Sequence, residues 1–147
     1  MKEVHSEIQI NATPEQVWEV LTNFDRYPEW NPYMVKASGT LVAGQDVRMT
    51  LQPPGKDQKS SKSMLTIVKP NQELRWQDFT VFGGLIDHEH IFTIEELEPN
   101  RVRFVQSERF QGLLVPFTWK SRSASTKAGF EAMNEALKKQ VEGDTAG

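Results

Sequence analysis

The end of the chain carries the constraint that the rest must satisfy. From about residue 118 or 121 to residue 141 there is no proline and one glycine, and Phe130, Met133, Leu137 and Val141 fall on one stripe at helical spacing. That pattern predicts one long amphipathic helix, followed by a frayed tail over 143–147. Almost everything before it reads as strand. An antiparallel sheet with one apolar face must bury that face on something, and this helix is the one long amphipathic element available.

The strands are read from period-two alternation and from the turn residues between them. Val4, Ile8 and Ile10 share one face of a first strand. Asn11 to Gln16 then switches the period: Thr13 is a good N-cap, Pro14 suits the first helical position, and Gln16 completes a capping box. Val17, Trp18, Val20 and Leu21 give this helix its apolar side, and a second short helix is expected over 25–29, ended before Pro32. Six further strands are expected at 33–38, 45–52, 63–68, 73–81, 87–97 and 101–110. Lys56 to Lys62 lies in a Pro/Gly/Ser stretch and reads as a solvated loop. The predicted class is α+β: a curved antiparallel sheet of about seven strands around a C-terminal helix, with two short helices after the first strand, forming a single domain over 1–147. The short helices are expected to cap one end of the curved sheet, and a ligand cavity is expected there.

Composition narrows the function classes. The chain has 147 residues, 37% of them hydrophobic and 25% charged, ordinary for a globular domain with a sizeable core. Its 17 basic and 20 acidic residues give a net charge of -3, which argues against a nucleic-acid partner. The absence of cysteine rules out disulfides and thiolate chemistry. There is no apolar leader-like segment at 1–10 and no run long enough to span a membrane, so a cytoplasmic protein without integral membrane association is expected. No nucleophile elbow, phosphate loop or dinucleotide fingerprint occurs, and no cofactor is expected.

Four segments, in this order, carry a family resemblance. They are Ile-Asn-Ala-Thr-Pro-Glu-Gln-Val-Trp at 10–18, Phe-Asp-Arg-Tyr-Pro-Glu-Trp-Asn-Pro at 24–32, Asp-His-Glu-His-Ile-Phe at 87–92, and Glu-Arg-Phe-Gln-Gly-Leu-Leu at 108–114. Together they make the chain similar to the START-like (SRPBCC, Bet v 1-type) helix-grip superfamily, and within it to the polyketide cyclase/dehydrase-like branch. The resemblance runs from about Val4 to Val141. It implies a helix-grip fold and a ligand cavity, and no single reaction, because members include carriers, cyclases, receptors and chaperone-associated domains.

The candidate site comes from the last hairpin. A three-residue loop over 98–100 pairs Leu97 with Arg101, which sets Ile94 opposite Phe104, Phe92 opposite Gln106, His90 opposite Glu108 and His88 opposite Phe110. Phe92, Ile94, Val102, Phe104 and Phe110 mark the inward face, so His88, His90, Gln106 and Glu108 point inward as well. Glu108 would orient His90 and raise its basicity, making it a general base or a polar anchor. The alternatives are a pair that satisfies itself within the sheet, or groups at a wet rim. Asp78 either adds a second carboxylate to the cavity or ends its strand in water, and the second is the simpler expectation. The histidines find no third metal ligand at a supporting spacing beyond Glu108 or Asp78, so no metal is expected.

Trp30, Trp76, Trp119, Phe92, Phe110 and Phe130 are the aromatic candidates to line the cavity, with core filling as the alternative; Trp30 either lines or gates the entrance or packs in the core, and the loops at Gly83-Gly84 and 111–114 are candidate lids. The apolar run at 113–117 most simply enters the core, with a gate or dimer contact as alternatives. The first reading is a binder of a small, mostly apolar molecule (lipid-like, aromatic or polyketide-like), acting as a monomer or weak homodimer. The second is a cyclase- or dehydratase-type enzyme using His90 and Glu108, with Asp78 as a further candidate, and the third a protein-interaction domain.

Overall fold

The structure is a computed structural model and describes residues 2–79 and 87–146. Its elements follow the predicted order: β1 (Lys2–Ile10), α1 (Pro14–Thr22), a 3-10 turn at Phe24–Arg26, α2 (Tyr27–Trp30), β2 (Met34–Gly39), β3 (Asp46–Leu51), β4 (Lys59–Lys69), β5 (Glu73–Phe79), β6 (Asp87–Glu98), β7 (Arg101–Gln111) and α3 (Val115–Ala146). The strands form one antiparallel sheet in the order β1-β7-β6-β5-β4-β3-β2, curled about α3 in a helix grip. The first and second strands thus sit at opposite edges, and α1 and α2 bridge between them.

Local chemistry explains the element boundaries. The Thr13 hydroxyl accepts from the Gln16 N–H while the Gln16 side chain accepts from the Thr13 N–H, so α1 starts with both donors satisfied. Asn31 ends α2 and its carboxamide oxygen accepts from the N–H groups of Tyr33 and Met34, turning the chain into β2.

Three expectations about boundaries are corrected. The strand placed at 63–68 begins at Lys59, so part of the supposed Lys-rich loop is strand, with Lys59, Ser60 and Ser61 paired to Leu51, Thr50 and Met49. Polarity misled here: Ser61 and Ser63 are small enough to sit on the inner face without an apolar signature. The hairpin turn is one residue tighter than expected, because Glu98 pairs with Arg101 and a bulge at Leu97 absorbs the difference. From Glu96 back to Asp87 the predicted register holds. Finally, α3 begins at Val115 and continues to Ala146, through most of the segment expected to fray. Strand residues beyond Phe79 and the Gly83-Gly84 loop lie outside the described residues.

The core is built on α3's predicted stripe. Phe130, Met133, Leu137 and Val141 are all essentially inaccessible and meet Ile10, Val17, Leu21, Phe92 and Phe104. Burying each such side chain stabilises the fold by about 1.5–3 kcal/mol. Toward the N-terminus the same face of α3 carries Thr126 and Arg122, and it no longer fills the sheet. The run at 113–117 divides: Val115 is buried, whereas Leu113, Leu114 and Phe117 are exposed at 75%, 43% and 85%. The expectation that this run enters the core therefore holds for one residue, Val115.

Gly129 has a packing reason to interrupt a good helix. A Cβ on it would sit 2.4 Å from the Tyr33 ring. In an exposed helix Gly→Ala gains up to about 1 kcal/mol, but here we expect Gly129→Ala to lower stability by about 1–3 kcal/mol through overpacking. Urea unfolding of the two proteins checks the sign, and a stabilised variant would refute the close Tyr33–helix packing.

Candidate functional site

Three rungs across the inner face of the sheet place the polar residues. Asp78, His88 and Phe110 face one another on β5, β6 and β7; Trp76, His90 and Glu108 form the next rung; Leu74, Phe92, Gln106 and Ser6 the one after. A continuous polar chain runs obliquely through them. Asp78 Oδ2 lies 3.1 Å from His88 Nε2, and His88 Nδ1 lies 2.8 Å from Glu108 Oε1. Glu108 Oε2 lies 3.6 Å from His90 Nδ1, and His90 Nε2 lies 2.9 Å from Gln106 Oε1. Gln106 Nε2 then donates to Asn134 Oδ1 at 2.9 Å, and Asn134 Nδ2 to Ser6 Oγ at 3.1 Å.

The direction of this chain defines the histidine protons. Because the Gln106 amide group donates to Asn134, its oxygen must accept from His90, so His90 carries a proton on Nε2. Its Nδ1 is then left facing Glu108 at a distance too long for a hydrogen bond. His88, by contrast, has a carboxylate at each ring nitrogen. Burial alone would lower its pKa, but the hydrogen bonds to Asp78 and Glu108 outweigh this and raise it to about 9. Burial would likewise raise Glu108, yet His88 first and His90 second hold it down at about 2. At neutral pH the centre of the wall is a protonated His88 between two carboxylates.

These positions sort the sequence-based candidates. His88, His90, Gln106, Glu108 and Asp78 come together. Glu108 makes its close contact with His88, diagonal to it, rather than with His90 directly opposite. A long glutamate reaches a diagonal neighbour as easily as a direct one. Asp78 does not end its strand in water: its side chain is 21% exposed and also accepts from Ser61 Oγ at 3.3 Å. Trp76, Phe92 and Phe130 pack around the His90 ring, with centroids 5.2, 4.5 and 5.0 Å away. Phe110 lies against His88 and Trp119. Trp30 is not part of this group; it stands edge-on to Tyr27 in a separate cleft among α1, α2 and the end of α3.

The space beside the polar chain is small. A cavity of about 120 Å³ lies between the sheet and the N-terminal half of α3, lined by Tyr33, Lys59, Ser61, Asp78, His88, Glu108, Phe110, Arg122 and Thr126 among others. This cavity opens where α3 turns polar, and it is separate from the hollow at the short-helix end, which is lined by α1, Trp30 and Val141. A second void of about 20 Å³, room for about one water, borders Trp76, His90 and Glu108. Three hollows are larger: those of about 210 Å³ at Trp30 and about 400 Å³ along β2–β4 include neither histidine and not Glu108, and one of about 160 Å³ among Gln77, Asp87, His88, Glu89, Arg109 and Gln111 reaches His88 but not Glu108. The chemistry therefore selects the smaller cavity. Among the described residues no group of three or more His, Asp or Glu side chains is arranged to hold a metal ion.

Sequence reasoning missed Tyr33, Lys59, Arg122, Thr126 and Asn134. A signal existed for three of them: stepping back from Phe130 by helical turns lands on Thr126 and Arg122, and Asn134 lies between Met133 and Leu137 on the buried stripe. Burial, then the Glu108 charge, pushes the Tyr33 hydroxyl far above its usual range, against smaller pulls from Thr126 and Arg122.

Comparison with known proteins agrees with this architecture. The family described as "Polyketide cyclase / dehydrase and lipid transport" matches residues 1–142, and the chain belongs to that family. Among solved structures it is similar to the Zhui aromatase/cyclase from Streptomyces sp. R1128, with 16% identity, a TM-score of 0.80, and 98% of this chain and 95% of that one covered. It is also similar to a START superfamily protein from Mycobacterium smegmatis, with 19% identity, a TM-score of 0.71, and 96% and 97% covered. Norcoclaurine synthase from Thalictrum flavum matches with 17% identity and a TM-score of 0.72 over 97% of this chain and 87% of that one. At such identities these likenesses establish the fold. No curated protein matches by sequence. Among the described residues no helix is long and apolar enough to cross a membrane.

The raised His88 and lowered Glu108 values make stability depend on pH in opposite directions. His88's contribution is complete below about 6.5 and is lost as the pH rises through about 9. Glu108's is complete above about 4.5 and is lost as the pH falls toward about 2. Urea unfolding should therefore show wild-type stability falling by roughly 3 kcal/mol as the pH rises from about 6.5 to about 9, whereas His88→Gln starts lower and stays flat. Equal slopes in both proteins would remove His88 from the centre of the cluster.

Proposed function

We propose that this protein binds a small, mostly apolar molecule with one polar end in the cavity between the sheet and the N-terminal half of α3. The observation that carries this reading is the juxtaposition there of aromatic walls, Phe110 and Tyr33, with a fixed polar wall, Asp78, His88 and Glu108. A buried charge cluster costs desolvation that a plain apolar packing would avoid, and it gives a ligand an orientation. His88 serves as an electrostatic anchor rather than a base, since both its ring nitrogens are engaged and it is protonated at neutral pH. The family's description, which spans cyclases, dehydrases and lipid transport, is compatible with this. Native mass spectrometry of protein purified from its source cells tests it. The expected result is a reproducible small molecule lost on denaturation; a clean apo mass together with no thermal shift against a panel of small aromatic and acyl compounds would overturn it.

A second reading, turnover, is favoured by one observation. Among the described residues His90 Nδ1 faces Glu108 Oε2 alone, at 3.6 Å, and the ring borders the void of about 20 Å³ beside it. A base with its proton fixed on the far nitrogen can take a proton from a carbonyl-activated carbon that enters that void, with Glu108 stabilising the imidazolium formed. The enzyme names of the aromatase/cyclase and norcoclaurine synthase relatives fit such chemistry. Here His90→Gln should leave ligand affinity within about threefold while abolishing product formation from the recovered ligand. Unchanged product formation would remove His90 as the base.

A further inference from the structure

The cavity's charges do not cancel. Five ionic side chains line it: Asp78 and Glu108 are negative, while His88, Lys59 and Arg122 are positive. His88 is committed to the two carboxylates. That leaves Lys59 and Arg122, for which no carboxylate partner is found among the described residues. Arg122 lies over the Phe110 ring, 5.8 Å from its centroid, and its Nε is buried without a hydrogen-bond acceptor. A buried N–H left in that state is costly, and a guanidinium on an aromatic face presents its fork for a planar, bidentate acceptor. Lys59 stands at the solvent-facing side. Its ammonium is disfavoured by partial shielding first and by the Arg122 charge second, with the Glu108 charge acting the other way.

Resting on the ligand-binding reading above, we infer that the cavity takes a small aromatic carboxylate, its anionic end held by Arg122 and Lys59 and its ring against Phe110 and Tyr33. One negative charge balances the lining; a dianion such as phosphate ester would exceed it. The carboxylate gives Arg122 Nε the acceptor it lacks and removes the repulsion between the two cations. The limited volume restricts the ligand to about a single ring with short substituents, and Ser61 and Thr126 offer hydroxyls to a second polar group.

The test is an NMR titration of labelled protein with benzoate and, separately, with its neutral isostere benzamide. Benzoate is expected to saturate, to move the Arg122 Nε–H signal, and to bind at least tenfold more tightly than benzamide. Arg122→Gln should lose at least tenfold in benzoate affinity while leaving benzamide unchanged, and Arg122→Lys should fall between. Dispersed spectra of both variants establish that they fold. Equal affinity for the two compounds, or no loss in Arg122→Gln, overturns the carboxylate site while leaving a neutral-ligand cavity standing. Benzoate failing to bind while neutral aromatic compounds shift Tyr33 and Phe110 signals does the same. No response to any compound overturns both the carboxylate site and the reading it rests on.

Discussion

A largely buried carboxylate organises this interior. Glu108 is 7% exposed on the inner wall of the sheet, paired with Val4 and His90 and flanked along its own strand face by Gln106 and Phe110. An isolated charge there would cost many kcal/mol or neutralise itself. Its ionisation therefore depends on His88, and His88 in turn depends on Asp78 at its other nitrogen. Each member justifies the next, which is why three ionisable residues from three adjacent strands occur together. Removing any one leaves a buried charge without its counterpart, the costly case for a buried pair.

The helix supplies the other half of the design by changing character along its length. Phe130, Met133, Leu137 and Val141 close one end of the curled sheet with apolar packing. Asn134, on the same stripe, ends the polar chain by joining Gln106 to Ser6. One turn before Phe130, Thr126 and then Arg122 replace apolar side chains, and the cavity begins there. Gly129 sits at the junction, where the absence of a side chain lets the Tyr33 ring lie against the helix and wall the cavity. Site and scaffold are thus one object: the residues that stop the packing are those that line the space.

Much of this was legible in the sequence because it depends on periodicity. The stripe of α3, the capping box of Thr13 and Gln16, and the alternation of β6 and β7 each follow from local rules, and together they placed His88, His90, Gln106 and Glu108 on one wall in the right register. What escaped depends on contacts between distant segments. No local pattern distinguishes a glutamate that meets its direct neighbour from one that meets a diagonal neighbour, so the His88–Glu108 contact was read as His90–Glu108. Asp78 looked like a strand end because its protection comes from β4 and β6. Lys59 and Ser61 were hidden by composition, since a polar strand inside a cavity resembles a loop. The place of the cavity itself followed from how far down α3 the apolar stripe extends, and the polar residues on that stripe were the overlooked clue.

The measurement that bears most directly on this account is the titration of the Glu108 side-chain carboxyl, followed by carbon-detected NMR from pH 7 downward. If the His88–Glu108–Asp78 cluster organises the interior, the Glu108 carboxyl signal stays in its ionised position until near pH 2, or until the protein unfolds. A Glu108 carboxyl that takes up its proton near pH 4.5 with the fold intact would mean that the charge is not held by its neighbours, and the polar wall would lose the role assigned to it.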